Sequence, residues 1–286
     1  MMQQLLMQDG TLCLSLLLHV HSGPMNQPIV KSSPESTPES MGFRVDDLLS
    51  LPLYSASAIA ADPVLIVAPH PDDETLGCGG AIALLRELDC TVHVLVISDG
   101  TLSHPNSRQY PAPALRTLRE SETLSAMSLL GVGSGKVTFL RLPDGSVPMQ
   151  DAPAANPAIA RCQAYLKTVR PKTIFLPYRF DPHPDHRATW QLIYRALVYL
   201  PQFPRLIEYP IWDWDPEQQH DSCEPNQFTS WRLDIHNVVD RKEQAIATYR
   251  SQVSDLIDDD PDGFQLTAAM LANFVRPWEV YLEAAQ

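Results

Sequence analysis

Apolar runs and helix-period segments alternate along most of this chain. Residues 64–68 (VLIVA) form a short uninterrupted apolar run, and residues 91–98 (TVHVLVIS), 137–142 and 173–177 (TIFLP) repeat the signal. Such runs, bounded by turn residues, predict buried strands. Between them, helices are predicted at about 80–88, 114–130 (stopping at Gly131), 157–169 and 185–200. Further strands are expected at 205–209 and 230–235, then helices at about 239–251 and 267–274. Strands joined by helical crossovers pair in parallel and carry helices on both faces, so the pattern predicts an α/β three-layer sandwich with a mostly parallel sheet.

The first 40 residues do not follow this pattern. The apolar-leaning stretch 11–20 is too short for a bilayer span, which takes about 20 residues. The first ten residues hold no Lys or Arg, which disfavours a secretory signal. KSSPESTPES at 31–40 buries nothing and reads as linker. The expected organisation is a disordered tail over 1–40, a lead-in over 41–61 and one domain over 62–286, with Met25 or Met41 as an alternative natural start.

Composition narrows the function. With 21 Lys+Arg against 34 Asp+Glu, a net charge of -13 disfavours nucleic acid or an anionic membrane as the main partner. Five cysteines without a CxxC pair favour neither a disulfide framework nor a thiolate metal site, and fit a reducing cytoplasm. Nothing in the sequence speaks against a homo-oligomer.

Two dense clusters then stand at strand-to-helix junctions, where open parallel sheets place their working sites. His70-Pro71-Asp72-Asp73-Glu74 follows the VLIVA run, and His183-Pro184-Asp185-His186 follows TIFLP and a short loop. Together they supply three imidazoles and four carboxylates. A catalytic zinc takes three His or carboxylate ligands and keeps a position for water. His70, one of Asp72 and Asp73, and one of His183 and His186 meet that need. The aspartate left over is placed as general base, and the spare histidine can hydrogen-bond an oxyanion or protonate a leaving amine. Either cluster alone is as easily explained as helix-capping or solvated charge. Both at equivalent junctions are not.

The stretch 68–80 (APHPDDETLGCGG) with HPDH at 183–186 resembles the LmbE-like or PIG-L family of zinc-dependent N-deacetylases. Arg119-x-x-Glu122 before Leu130-Gly131-Val132, EYPIW at 208–212 and KEQAIATYRSQ at 242–252 agree, so the resemblance spans roughly residues 62–283. It implies a Rossmann-like three-layer sandwich, the LmbE-like fold, with His70, Asp73 and His186 as metal ligands and Asp72 as general base. It also implies that His183 stabilises the oxyanion or acts as acid, with Asp185 orienting and charging it, and that Arg119 binds substrate. The implied cofactor is Zn2+, with Fe2+, Co2+ or Mn2+ accepted by the same ligand types. The implied substrate is a small N-acetylated amino sugar or conjugate, cleaved to acetate and a free amine. Alternatives are an amidase acting on a non-sugar N-acyl conjugate and a non-catalytic metal-binding accessory protein. Some relatives carry a tyrosine just before the second cluster; here Asp181-Pro182 stands there, and no tyrosine role is carried over.

Several weaker signals have plainer explanations. Gly77-Cys78-Gly79-Gly80 lacks dinucleotide-loop spacing, and Cys78 is expected to pack as a small buried thiol. Asp255, Asp258, Asp259, Asp260 and Asp262 lack the order of a calcium loop and are expected to form a solvated one. Trp212, Trp214 and Trp231 could stack on a sugar, although packing is the commoner use. Specificity is expected to lie in the loops after the second and third strands and in the 213–230 insertion.

Overall fold

In the computed structural model the described residues are 48–198, 200–214 and 228–285. The expected tail, the alternative starts and most of the 213–230 insertion lie outside them. β2 (Val64–Ala68) is buried along its whole length. Val64, Ile66 and Ala68 join one apolar cluster with Leu76, Ile82 and Trp231, while Leu65 and Val67 join a second with Ala188 and Leu192. A continuous apolar run is what a central strand covered on both faces requires.

The remaining strands are β1 (Leu53–Tyr54), β3 (Val92–Ser98), β4 (Val137–Leu142), β5 (Thr173–Pro177), β6 (Arg205–Tyr209), β7 (Phe228–Asp234) and β8 (Trp278–Ala284). The sheet runs in the order β1-β7-β8-β6-β5-β2-β3-β4. Pairing is parallel from β6 through β5, β2 and β3 to β4, and antiparallel where β8 meets β6 and β7. The chain steps outward from β2 to β4, then returns to lay β5 against the other side of β2. The carboxyl ends of β2 and β5 therefore flank a topological switch point, the crevice in which such sheets bind ligands.

The helices are α1 (Asp73–Glu87), α2 (Ala112–Leu129), α3 (Ala155–Val169), α4 (Pro184–Leu197), α5 (Val239–Ile246), α6 (Arg250–Val253) and α7 (Ala268–Leu271). α1 starts at Asp73, seven residues earlier than expected. Its glycines are not a turn but points of close packing. A β-carbon at Gly77 would lie 2.2 Å from the Tyr209 ring, and one at Gly80 would lie 2.6 Å from Ile235. The expected helix over 239–251 is interrupted before Arg250, where the buried Tyr249 sends its hydroxyl to Glu74. The one expected over 267–274 shortens to Ala268–Leu271.

Two strands went unpredicted. β8 carries a buried glutamate, Glu279, which takes hydrogen bonds from the Gly80 and Ala81 N–H groups, Lys242 Nζ and the Tyr281 hydroxyl. That polar residue breaks the apolar pattern of its strand. β1 lies within the expected lead-in and pairs with β7, while Leu48 and Ile59 beside it are buried.

Candidate active site

Two short turns at the switch point carry the chemistry. His70, Pro71 and Asp72 connect β2 to α1, and residues 181–183 lead into α4, with Pro184 at its first position and His183 as its cap. Proline there gives up an N–H that a helix start would leave unbonded anyway. The His183 Nδ1 accepts the Asp185 N–H at 3.2 Å. Asp72 sits at φ 129°, ψ -31°, a strained conformation for a non-glycine residue. Its consequence is visible next door: the carboxylates of Asp72 and Asp73 have different partners.

Asp73 turns toward the imidazoles. Its Oδ2 lies 3.2 Å from His70 Nδ1 and 3.3 Å from His186 Nε2. Ligands held tetrahedrally at about 2.0–2.1 Å from a zinc ion stand about 3.3 Å apart, so these two edges match a metal's coordination shell. Both nitrogens of His186 are fully buried and neither makes a hydrogen bond, although carboxylate oxygens stand beside each. The close approach of His186 Nε2 to Asp73 Oδ2 without hydrogen-bond alignment suits two atoms that share a cation. The donor set therefore fits a divalent metal. A His183 nitrogen also lies within 4.8 Å of nitrogens of His70 and His186. His183 Nδ1 accepts the Asp185 N–H, which leaves its Nε2 as the atom free to face an ion or a substrate.

Each of the other two imidazoles is backed by carboxylates. His70 Nε2 is 3.2 Å from Asp144 Oδ1 and 3.4 Å from Asp185 Oδ2, and His186 Nδ1 is 3.2 Å from Asp181 Oδ2. Such outer partners orient metal-binding histidines. Burial alone would discharge these imidazoles. The surrounding acids outweigh it, lifting His70 well above the ordinary histidine range and His186 to about 9. Burial likewise opposes charge on Asp73, but His186 and His70 prevail and hold it well below the carboxylate range. At Asp144 burial is outweighed chiefly by His70, and its pKa falls to about 2.

Asp72 faces the other way. Its Oδ2 accepts from Arg119 Nη2 at 3.1 Å, and burial, reinforced by Asp73 and Glu74 against Arg119, raises its pKa to about 8. Arg119 is itself 3% exposed, and its terminal nitrogens also donate to the carbonyls of Gly100 and Pro71 at 2.8 and 2.6 Å. It lines the cavity with its terminal nitrogens held by internal acceptors and its buried Nε without a partner.

Asp185 acts on His183 through its backbone N–H, which orients the ring, and through its negative charge, which pushes the His183 pKa up. The Asp185 carboxylate binds His70 Nε2 and the N–H groups of Gly145 and Val147, while only its backbone N–H meets His183. Position on the first turn of α4 explains this: the N–H points back at the cap, and the side chain points across to the β4 loop. Burial, then the charges of His186 and His70, lower the His183 pKa to about 4. Because Nδ1 is an acceptor, Nε2 carries the proton of the neutral ring.

The site opens into a cavity of about 800 Å³. His70, Asp72, Asp73, Asp144 and His183 line its polar part, and Leu102 and Gly145 border it from the loops after β3 and β4, two places expected to shape specificity. Trp212 and Trp214 line it as well, whereas Trp231 is buried in the core against Tyr281. The aspartate-rich segment holds a loop: Asp259 accepts from the Ser107 hydroxyl and the Arg108 and Gln109 N–H groups, and Asp260 from the Asn106 N–H. Cys78 is buried, as expected of a packing thiol.

Sequence reasoning missed Asp144 and Asp181 as partners of the imidazoles. Asp144 stands in the Pro-Asp-Gly turn that closes a predicted strand, an acidic strand end like those of the two clusters, and that position was its only signal. Asp181 signalled itself only by replacing a tyrosine.

Residues 65–197 match the family model described as PIG-L, GlcNAc-PI de-N-acetylase. A solved conserved protein from Thermus thermophilus is 30% identical, with 67% of this chain and 80% of that one covered and a TM-score of 0.50. The probable N-acetyl-alpha-D-glucosaminyl L-malate deacetylase 2 of Bacillus cereus is 25% identical over 199 residues, 68% of this chain and 86% of its own length. The 4-oxalmesaconate hydratase of Pseudomonas putida is 27% identical over 201 residues, 66% of this chain and 73% of its own. On these matches, the chain belongs to the PIG-L, LmbE-like family.

Proposed function

We propose that this protein is a zinc-dependent N-deacetylase that removes the acetyl group from an N-acetylated amino sugar or sugar conjugate, releasing acetate and a free amine. The observation that carries the proposal is Asp73 Oδ2 standing 3.2 Å from His70 Nδ1 and 3.3 Å from the buried His186 Nε2, while Asp72 and the His183 imidazole line the same cavity as His70 and Asp73.

His70, Asp73 and His186 would hold the ion. When bound, the metal supplies Lewis-acid polarisation and lowers the pKa of a nearby water. Asp72 takes a proton from the attacking water as it adds to the acetamide carbonyl. Its Oδ2 is tied to Arg119, which leaves Oδ1 for that water. Asp72 must be ionised to take that proton, and the ionised fraction grows as the pH rises through about 8. The Nε2–H of His183 donates to the oxygen that gains negative charge. As the C–N bond breaks, Asp72 returns its proton to the departing nitrogen, and acetate and amine are formed. Asp185 and Asp144 hold His70, and Asp181 holds His186.

The proposed location is the cytoplasm. Cys78, Cys90 and Cys162 are free, and among the described residues no helix is long and apolar enough to cross a membrane.

The test pairs two variants on a panel of N-acetylated amino sugars and simple N-acyl amides, with acetate release and metal content both measured. Asp72→Asn is expected to retain metal and lose about 10²–10⁴-fold in turnover. His70→Ala is expected to lose both. Full activity of Asp72→Asn would refute the mechanism. Turnover confined to non-sugar amides would replace the substrate class, and metal retention without turnover on any compound would refute the enzyme assignment.

A further inference from the structure

Glu74 completes the first sequence cluster yet takes no part in the proposed chemistry. It is fully buried and is not among the residues lining the cavity, so it does not reach substrate. Its Oε2 accepts the Asp72 N–H at 3.2 Å, and its Oε1 accepts the hydroxyl of Thr75 at 3.3 Å and that of Tyr249. The Tyr249 and Thr75 oxygens are 3.0 Å apart, which closes a buried ring of hydrogen bonds behind the turn from β2 to α1. A carboxylate cut off from water needs such donors. One of them is the backbone N–H of Asp72, the residue of that turn with a positive φ.

A backbone at φ 129°, ψ -31° persists for an aspartate only where its surroundings over-determine it. Asp72 is held in three ways. Its carbonyl accepts the Thr75 and Leu76 N–H groups, both at 2.9 Å, its carboxylate meets Arg119, and its N–H meets Glu74. The first hold belongs to any helix start. The other two lead to one short segment far along the chain. Tyr249, at the break between α5 and α6, supplies the hydroxyl to Glu74. Just beyond it, the Ser251 N–H and hydroxyl donate to the Glu122 carboxylate at 2.8 and 2.6 Å, and Glu122 lies one turn from Arg119 on α2. The same segment thus braces Asp72 from its backbone side, through Glu74, and the helix that carries the partner of its carboxylate.

We propose that Tyr249 is a positioning residue for the reaction. Acting through Glu74, it fixes the Asp72 N–H and so, together with Arg119, the direction in which the Asp72 carboxylate faces the attacking water. The role of Asp72 as base rests on the deacetylase proposal above; the link from Tyr249 to Asp72 rests on the hydrogen bonds alone.

Tyr249→Phe tests this by removing one hydroxyl while keeping a ring that packs in the main core. In the metal-loaded protein it is expected to cut kcat for acetate release about tenfold, less than the roughly 10²-fold that an ångström of misplacement can cost, with KM and metal content unchanged. In the Asp72→Asn background, where no base is left to aim, the same substitution is expected to add no further loss. Hydrogen exchange gives a readout that needs no turnover: relative to the amides of β2, the Asp72 amide is expected to exchange about tenfold faster in Tyr249→Phe. A general loss of stability would speed both together and leave that ratio unmoved. An unchanged kcat, a loss that appears in KM, an equal fractional loss in the Asp72→Asn background or an Asp72 amide that exchanges no faster would each overturn the inference. Faster exchange at Asp72 in a protein that releases acetate from no substrate would sink the deacetylase proposal and leave the link from Tyr249 to Asp72 standing.

Discussion

Metal uptake by the stripped protein should expel about two protons near pH 7. Without metal, His70 and His186 are held charged by the carboxylates around them, His186 with a pKa of about 9 and His70 raised well above the usual value. Asp73 stays ionised beside them. A metal ion must therefore displace one proton from His70 Nδ1 and one from His186 Nε2. Near pH 7, freeing a group with a pKa of about 9 costs about 3 kcal/mol, and His70 adds a cost of the same sign. Zinc affinity should therefore rise with pH and begin to level off as His186 passes about 9. The sign for stability is opposite in the metal-free protein. Raised histidine pKa values stabilise the fold below about pH 6.5, and the contribution from His186 is lost as the pH climbs through about 9. The rise in Tm on adding zinc should consequently be smaller in mild acid than in mild base. The assay is calorimetric titration of zinc into chelator-stripped protein in buffers of different ionisation enthalpy, where the slope counts protons released. A slope near zero at neutral pH would mean that the imidazoles are already neutral, and would refute the electrostatic account of the site.

Two further predictions concern residues outside the ligand set. Asp181→Asn should weaken zinc binding about 10–100-fold, because His186 loses the carboxylate 3.2 Å from its Nδ1; competition with a fluorescent chelator measures it, and unchanged affinity would remove Asp181 from the site. Lys242→Met should destabilise the fold by about 3 kcal/mol, the lower end of the range for breaking a buried pair, because Glu279 keeps three other donors. Thermal unfolding should fall by about 6–12 °C, and Glu279→Gln in the same chain should restore part of it; a loss of a degree or two would show that the pair matters little.

How much of the site could be read in advance follows from the distances over which each feature is encoded. His70 and Asp73 are three residues apart at the end of an apolar run, and His183 and His186 repeat that arrangement, so local spacing carries both clusters. The parallel sheet that unites them was legible for the same reason, since each strand announces itself as a buried run. Glu279 and Lys242 are 37 residues apart, and their pairing is what allows a glutamate inside β8; nothing local marks that strand as buried. The glycines of α1 read as a turn because the side chains that crowd them, Tyr209, Lys242 and Ile235, arrive from elsewhere in the chain. Asp144, Asp181 and the contact of Tyr249 with Glu74 are hidden in the same way, as contacts between segments rather than motifs.

The separation of Asp72 from Asp73 is the sharpest case. Two adjacent carboxylates could both serve as ligands, or one could serve as base, and spacing leaves the choice open. What decides it in the structure is a backbone angle and a distant arginine. The positive φ of Asp72 turns its side chain away from the imidazoles, and Arg119, 47 residues on, takes it at 3.1 Å while gripping the Pro71 carbonyl of the same turn. Arg119 thus holds both the strained turn and the carboxylate that the turn redirects. The strain is compensated at the point where it is generated, which is how a non-glycine residue can occupy that conformation. The same contacts occupy the terminal nitrogens of Arg119, which hold Asp72 and the Pro71 and Gly100 carbonyls, while its buried Nε has no partner.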